Sequence, residues 1–283
     1  MSDAFKPADS HELRFAFGRN WASYLANAFD PTREASARRS VIGLIGTSDL
    51  DGRTFLDLGC GSGIFSLAAF RMGATVMSVD LDPMSVECCR RLRESAGSPP
   101  NWTVLEGSVL DEALVARLPL AEIVYSWGVL HHTGDMWRAV SLAASRVRPG
   151  GLFCIALYNK VESRAGGSAM WHRIKRAYVR QSRPVQKLME WGHGAYRVAV
   201  MLATFRNPIK VARTYYHERG MSLWHDWVDW LGGYPYEYAS AGEVFEYGRT
   251  VLGFELLRMN TTSSLGCSEY VFRRPGDVLA TRP

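Results

Sequence analysis

The sequence predicts an α/β protein built on a doubly wound, mostly parallel sheet. Three observations carry this expectation. Short apolar runs of strand length alternate with helical segments through the first half of the chain. A glycine loop follows the first run, and an acid closes the second.

Taken in order, residues 12–45 read as helical, with Asn20-Trp21, Tyr24-Leu25 and Phe29 suggesting an apolar face. The turn Ser48-Asp49-Leu50-Asp51-Gly52 leads into a first strand at 54–58. Gly59 to Gly63 form the glycine loop, and 64–72 continue as a helix. A second buried strand at 74–79 ends on Asp80, and 83–95 form a helix with Pro83 in its first turn. Strands follow at 102–106 and 122–126. The helix 135–147 is expected to end at Arg148-Pro149-Gly150-Gly151, before a fifth strand at 152–157. The runs 254–257 and 269–272 read as a late antiparallel pair. Residues 160–237 break the rhythm: they are helix-rich, basic and aromatic, and read as an insertion at the mouth of the sheet. The predicted organisation is an N-terminal helical cap (1–48), a core (49–159), the insertion or lid (160–237) and terminal strands completing the core (238–283).

The 283 residues are 47% hydrophobic and 22% charged, enough to bury a core without disulfide staples. The five cysteines, Cys60, Cys88, Cys89, Cys154 and Cys267, are odd in number and two are adjacent. That pattern suits a reducing cytoplasm better than a disulfide framework. No His/Cys spacing predicts a metal site. The polar start predicts no secretory leader, and no uncharged run is long enough to cross a bilayer. Charge is uneven: from Arg164 to Arg219 there are twelve Lys or Arg and two acids, a net of +10 within a chain of +5. Such a segment points to an anionic partner, a membrane surface or a solvated helical insertion. The apolar run 195–205, flanked by Arg197 and Arg206, suits either a membrane surface or, more commonly, a packed or dimer-forming helix.

The chemistry-bearing motif is Asp57-Leu58-Gly59-Cys60-Gly61-Ser62-Gly63. Glycines after a first strand let backbone approach a bound nucleoside closely. The spacing G-x-G-x-G differs from the G-x-G-x-x-G that cradles a pyrophosphate. Asp80 is positioned to accept both hydroxyls of a ribose; the alternative for one acid at a strand end is a helix cap.

With Asp57–Gly63, Asp80, Glu106-Gly107-Ser108, Tyr125-Ser126-Trp127-Gly128-Val129-Leu130-His131-His132 and Arg148-Pro149-Gly150-Gly151 in this order, the chain resembles the class I S-adenosylmethionine-dependent methyltransferases. The resemblance is close over residues 50–159 and looser over the terminal strands. It implies a seven-stranded sheet whose last strand is antiparallel, with S-adenosylmethionine as cofactor and S-adenosylhomocysteine as product. It also implies that Asp57, Gly59, Cys60 and Gly61 face the methionine end, that Asp80 holds the ribose, and that Leu81 lies against adenine. Ser108 and Val109 fall at the adenine edge, where many relatives carry Asp in place of Ser108, and Trp127 falls near the sulfonium. The Leu130-His131-His132 stretch looks most like small-molecule methyltransferases of ubiquinone and menaquinone biosynthesis. The segments Phe15–Trp21 and Gly220–Asp226 look like features of one bacterial subgroup.

An oxygen, nitrogen or carbon acceptor must lose a proton, and a histidine suits that task near neutral pH. His131 and His132, at the carboxyl edge of the fourth strand, are the candidate bases; the alternative is that they are structural. Candidate substrate-side residues are Trp21, Tyr158, Asn159, His225, Tyr234 and Tyr236. Tyr234-Pro235-Tyr236-Glu237-Tyr238 after Gly232-Gly233 suits a water-excluding lid or, equally, an aromatic cluster packing the insertion on the core. The reading is a methyltransferase acting on an O, N, C or S atom of a small-molecule metabolite. An RNA or protein methyltransferase docking through the basic insertion, and a non-catalytic binding scaffold, are the competing readings. No RNA-binding motif is present, which argues against nucleic acid as the partner. The sequence admits peripheral membrane contact and leaves oligomeric state undefined.

Overall fold

Seven strands form one sheet in the computed structural model, which describes residues 31–163, 166–219 and 223–276 and, within them, not the side chains of 31, 32, 216–219, 225 and 229. The strands are β1 (Thr54–Leu58), β2 (Thr75–Asp80), β3 (Trp102–Glu106), β4 (Ala121–Trp127), β5 (Val147–Tyr158), β6 (Glu255–Asn260) and β7 (Cys267–Arg273), in spatial order β3-β2-β1-β4-β5-β7-β6. β1 pairs in parallel with β2 and β4, β2 with β3, and β4 with β5. β7 runs antiparallel to both β5 and β6. This is the seven-stranded, mostly parallel sheet that the sequence implied. The winding reverses between β1 and β4, so the carboxyl ends of these two strands flank a crevice of the kind that binds ligands in open α/β sheets.

Both faces of the sheet are covered, which is why the strands read as continuous apolar runs. Alternation divides each run between two cores. Phe55, Ile123, Tyr125, Cys154 and Val271 face one side, with helices α1 (Pro31–Ile45), α2 (Ile64–Arg71) and α3 (Pro83–Ser95). Leu56, Val124, Phe153, Ile155 and Phe272 face the other, with α5 (Met136–Ala144) and, flanking it, the short α4 (Glu112–Arg117). Helix α1 buries Ala37, Val41, Leu44 and Ile45 at helical spacing, and Arg258 of β6 donates to its Gly43 and Leu44 carbonyls. The part of the expected N-terminal helix before residue 31 lies outside the described residues.

One boundary differs from expectation. The helix before β5 ends at Ala144, and Arg148-Pro149-Gly150-Gly151 lies inside β5. Val147 is fully buried and pairs with Ala121, so the strand begins there; Gly150, at φ 76°, absorbs the irregularity. Arg148 reaches back to Glu122. Burial would raise the Glu122 pKa, but hydrogen bonds from Thr54 and Arg148 hold it down at about 2.

Residues beyond β5 form α6 (Ser168–Val179), α7 (Arg183–Ala203), α8 (Pro208–Arg219) and α9 (Leu223–Gly232). The chain leaves and re-enters the sheet edge at one bridge: Lys160 N–H donates to the Ala239 carbonyl, and Ala239 N–H donates to that of Tyr158. A further helix, α10 (Ala241–Thr250), was not expected from the sequence, although its capping box is explicit in Ser240 and Glu243.

Gly248 of α10 sits where a Cβ would come within 2.3 Å of the buried Phe272 ring, whereas Gly242 on the same helix meets nothing within 4 Å. Gly248→Ala is expected to destabilise the fold by about 1–3 kcal/mol in urea unfolding. Gly242→Ala should be neutral or stabilising by up to about 1 kcal/mol. Equal effects would show that α10 does not pack as described.

Candidate active site

The glycine loop lies at the crevice. Gly59, Gly61 and Gly63 have φ of 83°, 53° and 82°, the left-handed region that favours glycine. A Cβ on Gly59 would stand 2.3 Å from a Val129 methyl carbon, and one on Gly63 2.6 Å from Cys89 Sγ. The loop therefore presents backbone in place of side chains. Asp80, half-buried at the end of β2, closes onto it: Oδ2 accepts from Gly61 N–H at 2.8 Å and Oδ1 from Asp82 N–H at 2.9 Å. Burial raises the Asp80 pKa, and these amides oppose the shift.

The other loop residues are placed differently from expectation. Cys60 turns inward: its N–H and that of Gly59 both donate to the Val79 carbonyl, and its thiol is buried beside Cys89. Asp57 lies beneath the loop, 2% exposed, instead of opening into it. Its Oδ2 accepts from Ser66 Oγ–H at 2.6 Å; Ser66 accepts from Ser78 at 2.7 Å, and Ser78 from Trp102 Nε1–H at 2.9 Å. Period-2 alternation puts Asp57 on the face shared with Phe55, where these partners converge. Burial raises its pKa to about 7, against the Ser66 hydrogen bond.

Around the crevice, Leu81 is 45% and Trp127 36% exposed, two large apolar side chains left open at the sheet edge. Trp127 Nε1–H donates to Glu269 Oε1 at 2.8 Å, and its ring lies 6.3 Å from that of Phe65. Ser108 Oγ accepts from Leu110 N–H at 3.1 Å, which leaves its hydrogen and one lone pair to offer at the crevice. Val109 packs against the core.

The two histidines, adjacent in sequence, have different environments. They stand in a single 3₁₀ turn, Leu130–His132. His131 is fully buried; Nδ1 accepts from Tyr158 N–H at 3.3 Å, and among the described residues Nε2 meets no hydrogen-bond partner. Its ring packs 3.9 Å from that of Tyr158. This enclosure gives His131 the surroundings of a packing residue, unlike the open setting expected of a base. His132 is half-buried and donates from Nδ1 to the Pro235 carbonyl at 2.6 Å, which leaves Nε2 as the basic nitrogen of the neutral ring. Burial, and next the neighbouring His132 and Lys175, push the His131 pKa well down; burial brings His132 to about 3, opposed by its bond to Pro235.

Tyr158 is the hub of the aromatic side. Its ring lies 5.3 Å from His132, 5.0 Å from Tyr236 and 5.7 Å from Trp230. Tyr236 is 1% exposed, so it belongs to the packing cluster, and burial pushes its hydroxyl up to about 12. Tyr234 meets His172 edge-on at 5.8 Å. The Asn159 amide donates to the carbonyls of Thr262 and Ser264, holding the β6–β7 loop. His225 is placed by the backbone on α9, and its side chain lies outside the described residues, as does Trp21.

Two residues that sequence reasoning missed organise this region. Lys175 is fully buried; Nζ donates to the Trp230 carbonyl near the end of α9 and lies 4.2 Å and 4.9 Å from the Trp230 and Tyr236 ring centroids. Its signal was a lone cation on the helical stripe Trp171, Lys175, Tyr178. Glu237 latches the end of the insertion to the histidine turn: its N–H donates to the His131 carbonyl, and its carboxylate accepts from Gly134 and Met136 N–H at 3.0 and 3.1 Å. It thus caps α5, which Asp135 leaves without a side-chain cap. Among the described residues no His, Cys, Asp and Glu cluster could hold a metal.

Residues 56–155 match the family described as "Methyltransferase domain". A relative named ubiquinone biosynthesis O-methyltransferase, from Methylobacterium sp. (strain 4-46), is 33% identical over 128 residues, 45% of this chain and 50% of the relative. One of the same name from Sinorhizobium fredii is 34% identical over 137 residues, 47% of this chain and 54% of the relative. The chain spans about half the length of these curated relatives. Among solved structures, magnesium protoporphyrin IX methyltransferase from Synechocystis PCC 6803 aligns with a TM-score of 0.53 at 12% identity, covering 97% of this chain and all of that one. An O-methyltransferase family protein from Burkholderia thailandensis aligns at 0.51 and 16%, covering 93% of this chain and 64% of that one. These likenesses show the class I methyltransferase fold.

Burial, opposed by the Met136 and Gly134 amides, raises the Glu237 pKa to about 7, so the folded chain holds a proton that the unfolded chain has released. The resulting stability is complete below the unfolded carboxyl value of about 4.3 and is lost as pH rises through about 7. The neutral histidines act in the opposite sense: their contribution is full above 6.5 and lost as pH falls toward the folded values. Glu237→Gln leaves one α5 amide without an acceptor, and a loss of about 1–2 kcal/mol is expected at mildly acid pH. The Tm gap between the two proteins should narrow from about pH 5 to about pH 8. A widening gap would contradict the burial of Glu237.

Proposed function

We propose that the chain methylates a hydroxyl of a small molecule with S-adenosylmethionine, because residues 56–155 match a methyltransferase domain family and the sheet has the class I topology. The observation that carries this reading is the junction of Asp80 with the Gly61 amide, beside the point where the winding of the sheet reverses. The residues present fit the donor. A loop that admits no Cβ at Gly59 or Gly63 would hold its amino-acid end by backbone, and the two oxygens of Asp80 would take the ribose hydroxyls. Leu81 offers an exposed apolar surface for an adenine ring, and Trp127 an exposed aromatic face for a sulfonium cation. Bound there, the donor supplies an electrophilic methyl group whose leaving group is a neutral thioether. The division into helical cap, core, insertion and terminal strands fits this reading, with residues 160–237 on the acceptor side. All five cysteines are free, which supports a reducing, cytoplasmic setting.

The chain's own work is to exclude water, align the acceptor and remove its proton. The oxygen acceptor follows the names of the curated relatives. The proton falls to His132, whose Nδ1–H is fixed on Pro235 so that Nε2 bears the lone pair. A ring that burial holds neutral down to about 3 is a weak base. Among hydroxyls a phenol, more acidic than an aliphatic alcohol, is the one for which a neutral imidazole suffices as base.

Calorimetry is expected to show micromolar binding of S-adenosylmethionine and S-adenosylhomocysteine and none of NAD. Asp80→Ala should weaken that binding about 10- to 100-fold; unchanged affinity would remove Asp80 from the site. With a phenolic acceptor, His132→Asn should lower kcat by about 10²- to 10⁴-fold while leaving S-adenosylhomocysteine affinity nearly unchanged. The wild-type kcat/KM should show no inflection near 6.5, because His132 is already unprotonated there. An inflection at that pH, abolished in the variant, would refute the neutral-ring assignment.

A further inference from the structure

Helix α7 carries an apolar face that the described part of the chain leaves uncovered. Glu190, Gly194 and Met201 are buried against the protein, and a Cβ on Gly194 would meet the Trp224 ring of α9 at 2.8 Å. On another side of the helix, Leu188 is 72%, Trp191 67% and Leu202 59% exposed, and Phe205, just past its end, is 98% exposed. Leu188, Trp191 and Leu202 recur at helical spacing, and Phe205 follows in the turn, so the three helical positions form a stripe instead of scattered single residues. A contiguous apolar stripe of this size marks an interaction surface.

The charge around the stripe selects the partner. The segment from Arg164 to Arg219 carries a net of +10. Arg173, Arg176, Arg180, Arg197, Arg206 and Lys210 are exposed, and among the described residues none has a carboxylate within ion-pair distance. A second copy docked stripe to stripe would bring together two segments that each carry twelve cations against two acids. An anionic surface meets both features: it neutralises the cations while Trp, Phe and Leu enter the headgroup boundary. No helix among the described residues is long and apolar enough to cross a membrane, so the fitting geometry is one in which α7 lies on the surface. Helix α7 also packs on α9, whose Trp230 reaches the Tyr158 hub.

We infer that the face formed by α7 and the turn to α8 is a docking site for an anionic lipid bilayer, with Leu188, Trp191, Leu202 and Phe205 as its apolar anchors. Binding is read without cofactor or acceptor, so its outcome is independent of the methyl-transfer reading.

The test is flotation of the full chain with vesicles of phosphatidylcholine, with and without phosphatidylglycerol. Wild type should float with the phosphatidylglycerol vesicles at low salt, and raised salt should weaken binding on the order of tenfold. Leu202→Asp with Phe205→Asp should reduce partitioning by at least about tenfold, as should Arg206→Glu with Lys210→Glu, with circular-dichroism melts unchanged. Wild type remaining unbound at low salt would overturn the inference, as would binding that survives both double variants. So would a dimer in light scattering that the Leu202/Phe205 pair dissolves, in a protein that binds no vesicles.

Discussion

The close approach of Gly59 to Val129 is the constraint on which the site depends. The two residues follow β1 and β4, the strands on either side of the winding reversal, and a Cβ at Gly59 would overlap a Val129 methyl group. Because nothing stands between them, the glycine loop and the turn bearing His131 and His132 share one wall. Backbone packed on side chain at this distance leaves little room for relaxation. Everything placed on one turn is therefore placed relative to the other.

Beneath that wall the molecule is organised by enclosed polar groups. Asp57, Ser66, Ser78 and Trp102 form a hydrogen-bonded chain that ties β1, α2, β2 and β3 together on one face. A fully connected chain of this kind fixes the register of its elements, since a slip would strand a buried polar atom. On the opposite side of the crevice Glu237 does similar work between the histidine turn and the end of the insertion. Both carboxyls are raised to about 7 by burial, yet one stiffens the sheet and the other fastens the insertion to it.

The insertion has two environments. Inward, Lys175 caps the end of α9 within an aromatic enclosure of Trp230, Tyr236 and Tyr158, and its charge helps to keep the histidine rings neutral. Outward, it is basic and apolar together. The aromatic segment 234–238 is held to the core by Tyr236 packing and by Glu237, which supports the packing-cluster reading of that motif over a lid.

The sequence by itself determined the sheet and the cradle. Short continuous apolar runs, the left-handed glycines and Asp80 depend on local backbone geometry, and local geometry is written in neighbouring residues. The β5 boundary was misplaced because Val147 becomes a strand residue only by pairing with Ala121, a partner distant in sequence. Helix α10 went unread although its capping box stood in plain view at Ser240 and Glu243. The site chemistry was decided by tertiary structure. His131 and His132 are adjacent and identical in sequence, and only burial, one against Tyr158 and the other on Pro235, separates a packing ring from a candidate base. The partners of Asn159 and Asp57, 103 and 9 residues away along the chain, are visible only in the folded structure. Side-chain direction and desolvation depend on what the rest of the chain brings alongside, and a pattern along one strand does not contain that.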